Sequence, residues 1–561
     1  MLTLLFLIAL VYFLLCYKLY GGFLTRVFSL DNSRKTPAEE LYDGVDYCPT
    51  HPAILIGHHF SSIAGAGPIV GPITAAAWFG WLPAYLWCLI GSAFFGGPHD
   101  AGSVIASIRH QGRSVAEVVK CWIGARGRLL FQTFTILTLV LIVAVFIQLG
   151  ANSLGVVMLE ADFVPYPSVF TPAPVAFAAV VYLVMALLFG LLTYRFRAPV
   201  KIVTICMLPI VFGACWLGHT YPAITIPFQF SSADWRLILM GYVIVASLLP
   251  VWLLLQPRDY LSSFFLYFAV IIGGIGMVFG SDFTVKLPAF KGMTSADGQF
   301  IWPILFVTVA CGAISGFHSM VGSGTTSKQL RKEKDSILIG YGSMLLEGLV
   351  AVIAIGAVMI SGDVAQGGPV ITFSQGFGNF CALIGIDYEL GASMGALAIN
   401  TFILTTVDTA TRLTRYQIQE ISGGRINKYW ATLLAVSGAV VFLFVESGGK
   451  PTWAIIWPVF GAANQLVAAL ALLAIGVWVR KAFNRSNSFL MAPMWFMMIT
   501  TLAALGLLAW EQAASKSPNL VVAVFSILLM ILGLLMLREA LKALGRDSGS
   551  ATKPASGPAA L

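Results

Sequence analysis

The chain has 561 residues, of which 58% are hydrophobic and only 10% charged, with a mean hydropathy of +0.86. Soluble globular domains carry about a quarter charged residues, so the composition excludes a water-soluble enzyme and indicates a chain that crosses a lipid bilayer many times. A formal charge of +8 is carried by loops between apolar runs and does not point to nucleic acid.

About fifteen apolar windows are long enough to cross roughly 30 Å of hydrocarbon as helices. In chain order they fall near 2–20, 53–79, 81–97, 129–150, 173–194, 199–219, 237–255, 262–280, 301–327, 337–361, 393–410, 430–445, 453–478, 490–510 and 519–537. The first, in "MLTLLFLIALVYFLLCYKLYGG", has no basic residue ahead of its apolar run and no small-residue cleavage site, so it reads as a retained anchor. The odd-numbered loops and the C-terminal tail hold 28 of the 33 Lys and Arg residues, the even-numbered loops 5. Cytoplasmic loops keep their basic residues, which gives an odd number of spans with the N-terminus outside and the C-terminus cytoplasmic. The loop 109–128, with Val115, Val118, Val119 and Trp122 at helical spacing among basic residues, predicts an amphipathic helix on the cytoplasmic membrane surface. The segment 362–392 lacks Lys and Arg and predicts an outside cap, and 546–561 predicts a disordered cytoplasmic tail. Eight cysteines are scattered without CxxC spacing, which argues for packing and against a disulfide framework.

Two windows are interrupted. "GHHFSSIAGAGPIVGP" (57–72) carries Pro68 and Pro72, which deprive the carbonyls of Ala64 and Pro68 of helical donors, while Gly65, Gly67 and Gly71 ease departure from α geometry. Within a membrane such freed groups are tolerated only inside protein or along a wet cavity, and a broken helix there points to a transporter's binding site. "GAISGFHSMVGSGTTSKQL" (312–330) repeats the combination of a mid-span histidine, clustered glycines and Ser or Thr side chains. The charge pattern runs this span in the opposite direction, as an inverted-topology repeat requires, with the two breaks meeting near the bilayer centre.

The candidate substrate contacts are therefore His58, His59, Phe60, Ser61, Ser62, Gly65 and Gly67 from the first break, and Phe317, His318, Ser319, Ser323, Gly324, Thr325 and Thr326 from the second. His58 and His59 project about 100° apart on a helix, so they cannot both face one small ligand in the same way; one is expected to contact substrate and the other to orient the break by bonding backbone, with the assignment between 58 and 59 open. Asp408, flanked by Thr405, Thr406 and Thr409, forms an oxygen-rich cluster of the kind hard cations accept, or else pairs with Arg412 one helical turn on. Glu347, Asn464 and Gln465 are embedded in spans as proton sites or interhelical glue. Asp100, Arg258 and Asp259 stand at the inside ends of their windows and read as loop anchors or gate ion pairs.

These blocks, with "RHQGRS", "LQPRDYL", "TTVDTATRLTRY" and "WPVFGAANQL" in this order between about 53 and 470, resemble the carbon starvation protein A (CstA) family of inner-membrane transporters. The resemblance implies uptake of pyruvate, or of peptides, during nutrient limitation, and membership of the amino acid, polyamine and organocation superfamily. It also implies a LeuT-like inverted-repeat core, all-α, with broken helices near 57–72 and 312–327 and extra helices around it. On that mapping the parts are an anchor and cytoplasmic loop (1–52), a first repeat (53–219), two added helices (220–300), a second repeat (301–478) and two C-terminal helices (479–545). The windows near 237–280 are then inserted between five-helix repeats, or absorbed by a seven-plus-seven repeat. Asp408 and its threonines would close a cation site against the first break.

The expected mechanism is cation-coupled symport by alternating access, a small carboxylate lying between the breaks at half-helix ends. Protons would use the histidines, Asp408 or Glu347; sodium would use Asp408, Thr405, Thr406, Thr409 and carbonyls near Gly65. No cofactor is expected beyond the coupling H+ or Na+, and the partners are a small molecule (pyruvate, peptide or amino acid) and the bilayer. A histidine-ligated haem or metal protein is the reading from another class; it lacks HExxH or similar spacing. A starvation sensor on a transporter fold is a third.

Overall fold

Proline and glycine set many of the helix limits, as at Pro37, Pro52, Gly67, Gly80 and Gly97. The computed structural model describes residues 1–44, 46–155, 172–250, 252–365, 367–444, 452–514 and 518–545; the tail expected to be disordered lies outside them. The helices run α1 (Leu2–Val27), α2 (Pro37–Glu40), α3 (Pro52–Ile63), α4 (Gly67–Phe79), α5 (Trp81–Gly91), α6 (Gly97–Arg109) and α7 (Val115–Trp122). They continue as α8 (Ala125–Leu154), α9 (Pro172–Gly190), α10 (Val200–Thr220), α11 (Ser232–Leu248), α12 (Leu255–Phe279), α13 (Ile301–Val309) and α14 (Gly316–Gly324). The last are α15 (Ser343–Ser361), α16 (Pro369–Ala382), α17 (Tyr388–Ile421), α18 (Lys428–Leu443), α19 (Thr452–Phe483), α20 (Ser488–Ala514) and α21 (Leu520–Leu544). Only two isolated bridges, Thr50 with Leu330 and Thr294 with Phe300, have strand character among the described residues.

Eleven helical segments are long and apolar enough to cross a membrane among the described residues, or twelve when the bent pair α3–α4 counts as one span. The remaining windows, 81–97, 237–255 and 430–445, fall on the shorter α5, α11 and α18, so every apolar window lies on a helix of an all-α, multi-pass membrane protein. Burial separates core from rim. The most apolar stretch of α19 is entirely buried, whereas only 33% of the corresponding stretches of α1 and α21 are. Rim residues such as Leu19, Ile205 and Ile531 are exposed, as side chains solvated by lipid tails should be.

Three local outcomes differ from the sequence reading. The window ending at 97 continues as α6 to Arg109, so Asp100 lies inside a helical run and not at its end. A π-turn at Ser92–Gly96 precedes the Gly97-Pro98 step, and such widened turns let a helix pass a proline that would otherwise stop it. The amphipathic segment 109–128 shortens to α7, whose Val115, Val118 and Val119 are buried against α8 and α19; its apolar face packs on protein instead of lying on the membrane surface. The segment 362–392, expected from its lack of Lys and Arg to be an outside cap, contains a helix of its own, α16.

Candidate functional site

The first break is short. Ala64 ends α3 with ψ 70°, and α4 starts at Gly67 with Pro68 in its first turn, the axes bending by 48°. A proline N-terminal to a helix loses nothing, because the N–H it lacks has no helical acceptor there. Pro68 therefore opens α4, and Pro72 sits within it. The second break runs from Ala310, in the left-handed region at φ 42°, through a 3-10 turn to extended Ser315. From Gly316 to Gly324 the chain is helical again, so this break lies at 310–315, ahead of most of the segment 312–327.

The two breaks touch. A Cβ on Gly67 would stand 2.5 Å from Cys311 Sγ, and one on Gly71 2.5 Å from the carbonyl oxygens of both Thr308 and Val309. On the facing side, a Cβ on Gly312 would lie 3.0 Å from Pro72. Here glycine is needed for close approach of backbones. Gly65 meets α17 in the same way, its missing Cβ falling 2.5 Å from Thr406 Oγ1.

Asn464 of α19 holds the start of α14. Its Oδ1 accepts from Phe317 N at 3.0 Å and its Nδ2 donates to Ser315 Oγ at 3.0 Å, so a side chain from another helix satisfies a terminal N–H that the break leaves without partner. Neighbouring Gln465 donates to the Phe306 carbonyl at 2.7 Å. At the far end of α14, Thr326 Oγ1 lies 2.7 Å from His59 Nδ1, tying the two broken spans together. His59 is fully buried, and its Nε2 has no hydrogen-bond partner among the described residues. His58 is half-buried and serves through its carbonyl, which accepts from Ser61 and Ser62 at 3.1 and 2.8 Å.

Two buried ionic networks flank these breaks. In the first, His99 Nδ1 lies 2.7 Å from Asp100 Oδ1, Asp100 Oδ2 lies 2.8 Å from His318 Nδ1, and His318 Nε2 lies 3.2 Å from Glu347 Oε2. Three helices, α6, α14 and α15, thus bring two carboxylates and two imidazoles into one line of contacts. In the second, Arg258 of α12 reaches both Asp259, at 2.9 Å, and Asp408 of α17. Tyr242 donates to Asp408 at 2.8 Å, the guanidinium also donates to the Leu404 and Thr405 carbonyls, and Tyr182 donates to the Arg258 carbonyl at 2.8 Å. Arg412 turns instead to the carbonyls of Ala246 and Leu249, so the pairing of Asp408 one turn along its own helix does not form.

The sequence-derived candidates therefore separate. Gly65, Gly67, Thr406, Phe317 and His318 gather at the breaks, whereas His59 and Thr326 meet at the far end of α14, with buried Phe60 next to His59 on α3. Ser319 and Thr325 bond carbonyls of their own helix, at Gly316 and Val321, and Thr405 bonds Thr401. Ser323 Oγ accepts from Val115 N at 3.2 Å, in the first turn of α7, and Gly324 ends α14. Thr409 Oγ1 is buried without a partner among the described residues. Asp100 joins His318 and Glu347, whereas Arg258 and Asp259 join Asp408. Sequence reasoning missed His99, Cys311, Tyr182 and Tyr242. His99 had one available signal, adjacency to an acid in "GGPHDAGS", which the Gly-Gly-Pro before it disguised as a loop.

The family described as "Carbon starvation protein CstA" matches residues 1–366 and 361–504. A "Peptide transporter CstA" of Helicobacter pylori is 34% identical over 538 residues, covering 82% of this chain and 75% of the relative. The "Pyruvate/proton symporter BtsT" of Escherichia coli is 30% identical over 601 residues, covering 88% and 80%. Among solved structures, a mutant form of the manganese transporter of Eremococcus coleocola aligns over 90% of this chain and 98% of its own at 14% identity and a TM-score of 0.45. With the family matched across both breaks and all the ionic networks, the chain belongs to the carbon starvation protein CstA family.

Proposed function

We propose that the protein is a secondary active transporter that imports a small carboxylate nutrient, such as pyruvate or a short peptide, together with a cation. The observation that carries this reading is the meeting of two broken helices inside the bundle, Gly67 against Cys311 and Gly312 against Pro72. Breaks buried in protein expose backbone donors and acceptors that intact spans keep paired. The start of α14 is already held by Asn464, so the N-terminal end of α4 is the helix end that favours a substrate carboxylate; His59 stands on α3 ahead of the break, its Nε2 without a hydrogen-bond partner among the described residues. Both substrate classes named for the relatives, a peptide and pyruvate, carry such a carboxylate. The repeat that relates the two breaks gives two arrangements of one site, open alternately to either face. Basic loops favour the orientation with the N-terminus outside and the C-terminus in the cytoplasm.

Uptake of labelled pyruvate and of a labelled dipeptide into proteoliposomes, under an imposed proton or sodium gradient, tests this. Accumulation of one substrate above its external concentration, reduced strongly by His59→Ala, is the expected result. Equal inside and outside concentrations for both substrates under both gradients would refute the reading.

A further inference from the structure

We infer that the buried quartet His99, Asp100, His318 and Glu347 is the site where this transporter takes up and releases its coupling ion, that the ion is a proton, and that Glu347 is the group that carries it. The inference rests on the transporter reading and deepens it. All four side chains are at most 1% exposed, and their contacts at 2.7, 2.8 and 3.2 Å form an unbroken line of titratable groups. Asp100 is fixed at both oxygens by imidazoles. Glu347 is different: its Oε1 has no hydrogen-bond partner among the described residues, and the ion pair described for it joins Oε2 to His318 Nε2 at 3.2 Å.

Charge decides what such a group can do. No lysine or arginine makes an ion pair or hydrogen bond with the quartet among the described residues, in contrast to Asp259 and Asp408, whose charges meet Arg258. With both carboxylates ionised and both rings neutral the quartet carries two negative charges, which a protein interior strongly disfavours. One proton on His318 leaves one negative charge; a second, as O–H on Glu347, makes the quartet neutral. Addition and loss of that second proton is a charge change of one per cycle, as a proton symporter requires, and it belongs to the coupled group as a whole. Among the described residues its other neighbours include the Cys311 thiol beside His318, the Ser343 hydroxyl one turn before Glu347, Ser92 packed against Gly348, and the His59 ring from α3.

Geometry also supplies the link to substrate. His318 lies in the first turn of α14, whose N-terminal end abuts the second break and whose far end bonds His59 through Thr326. Any shift of α14 that accompanies occupation of the breaks alters the 2.8 and 3.2 Å contacts of His318, and with them the proton affinity of Glu347; by reciprocity the proton alters substrate affinity.

Proteoliposomes loaded with a pH dye, energised by a proton gradient, test the assignment. Wild type should accumulate labelled pyruvate or dipeptide with matching proton entry. Glu347→Gln should move substrate only downhill, without proton entry, its accumulation falling by about ten- to a hundredfold, the span of ordinary coupling energies. Matching proton entry in Glu347→Gln overturns the inference and leaves the transporter reading standing; no flux of either substrate in wild type under any gradient overturns that reading itself. A measurement on wild type alone guards against a variant that fails to fold. Infrared spectra of protein whose glutamate carboxyl groups carry carbon-13 should show a protonated-carboxyl band that moves with the label and titrates with pH, and absence of that band overturns the assignment.

Discussion

Arg258 and Asp408 illustrate why a buried charge is judged by its partners. Both are buried, and Arg258 also holds Asp259, so one guanidinium is shared by two carboxylates, one of which also accepts a hydrogen bond from Tyr242. Removing one member of such a pair leaves an uncompensated charge and costs about 3–5 kcal/mol. Arg258→Ala strands two carboxylates at once, whereas Asp408→Asn leaves the guanidinium paired with Asp259 and the amide oxygen still able to accept. The order of damage should therefore be Arg258→Ala well beyond Asp408→Asn, read as loss of thermal stability in detergent. Both variants should keep whatever coupling their folded fraction shows, because this network holds a permanent cation. A folded Asp408→Asn that transports without proton entry would move the coupling site here and away from Glu347.

At the scale of elements, close approach of α4 to α13 depends on glycine. A Cβ at Gly71 meets two carbonyl oxygens at 2.5 Å, and backbone cannot swing aside as a side chain does. Gly71→Ala should cost about 1–3 kcal/mol as overpacking and abolish uptake by separating the breaks. Gly506→Ala on α20, with nothing within 4 Å of its Cβ position, should be neutral or stabilising by about 0.5–1 kcal/mol through helix propensity; equal losses in the two would show that contact with the breaks is not what matters. The contrast also explains what could be read from sequence. Apolar length located the helices long enough to cross a membrane, since crossing hydrocarbon is a property of one segment. Prolines and glycines located the breaks only approximately, because they mark where a helix is weak. Where it parts is set by partners far along the chain, Asn464 for Phe317 and Thr406 for Gly65. The same holds for the ionic networks: Asp408 finds its arginine 150 residues away, and the Gly96-Gly97-Pro98 run concealed His99 and Asp100 inside a helix that a π-turn carries past the proline.

Across the whole molecule, the chain between α1 and α3 forms a strap over the face where basic loops collect. Buried Glu333 accepts from Arg109 at 3.0 Å, Arg34 at 3.4 Å and the Asp31 backbone N–H at 2.9 Å. Farther along, Cys48 N and Thr50 N donate to the carbonyls of Lys328 and Gln329 at 3.2 and 2.9 Å, and Lys328 Nζ stands 5.2 Å over the Tyr47 ring. These bonds pin the segment just after α14, immediately beyond Thr326 and its bond to His59. For the breaks to open toward this face, α14 must leave the strap, so the Glu333 contacts bias the molecule toward the closed arrangement in which Cys311 is only 6% exposed. Glu333→Ala removes one acceptor from three donors and should shift that balance toward opening. In protein retaining Cys311 as its single cysteine, Glu333→Ala should speed modification by a membrane-impermeant maleimide, added from the strap side, by about fivefold or more, the lower end of ordinary coupling energies. Substrate should slow the reaction again, since it favours closure around the breaks. Identical rates with and without Glu333 would mean that the strap rides with α14 through the cycle and that the closed face is held by the helices alone.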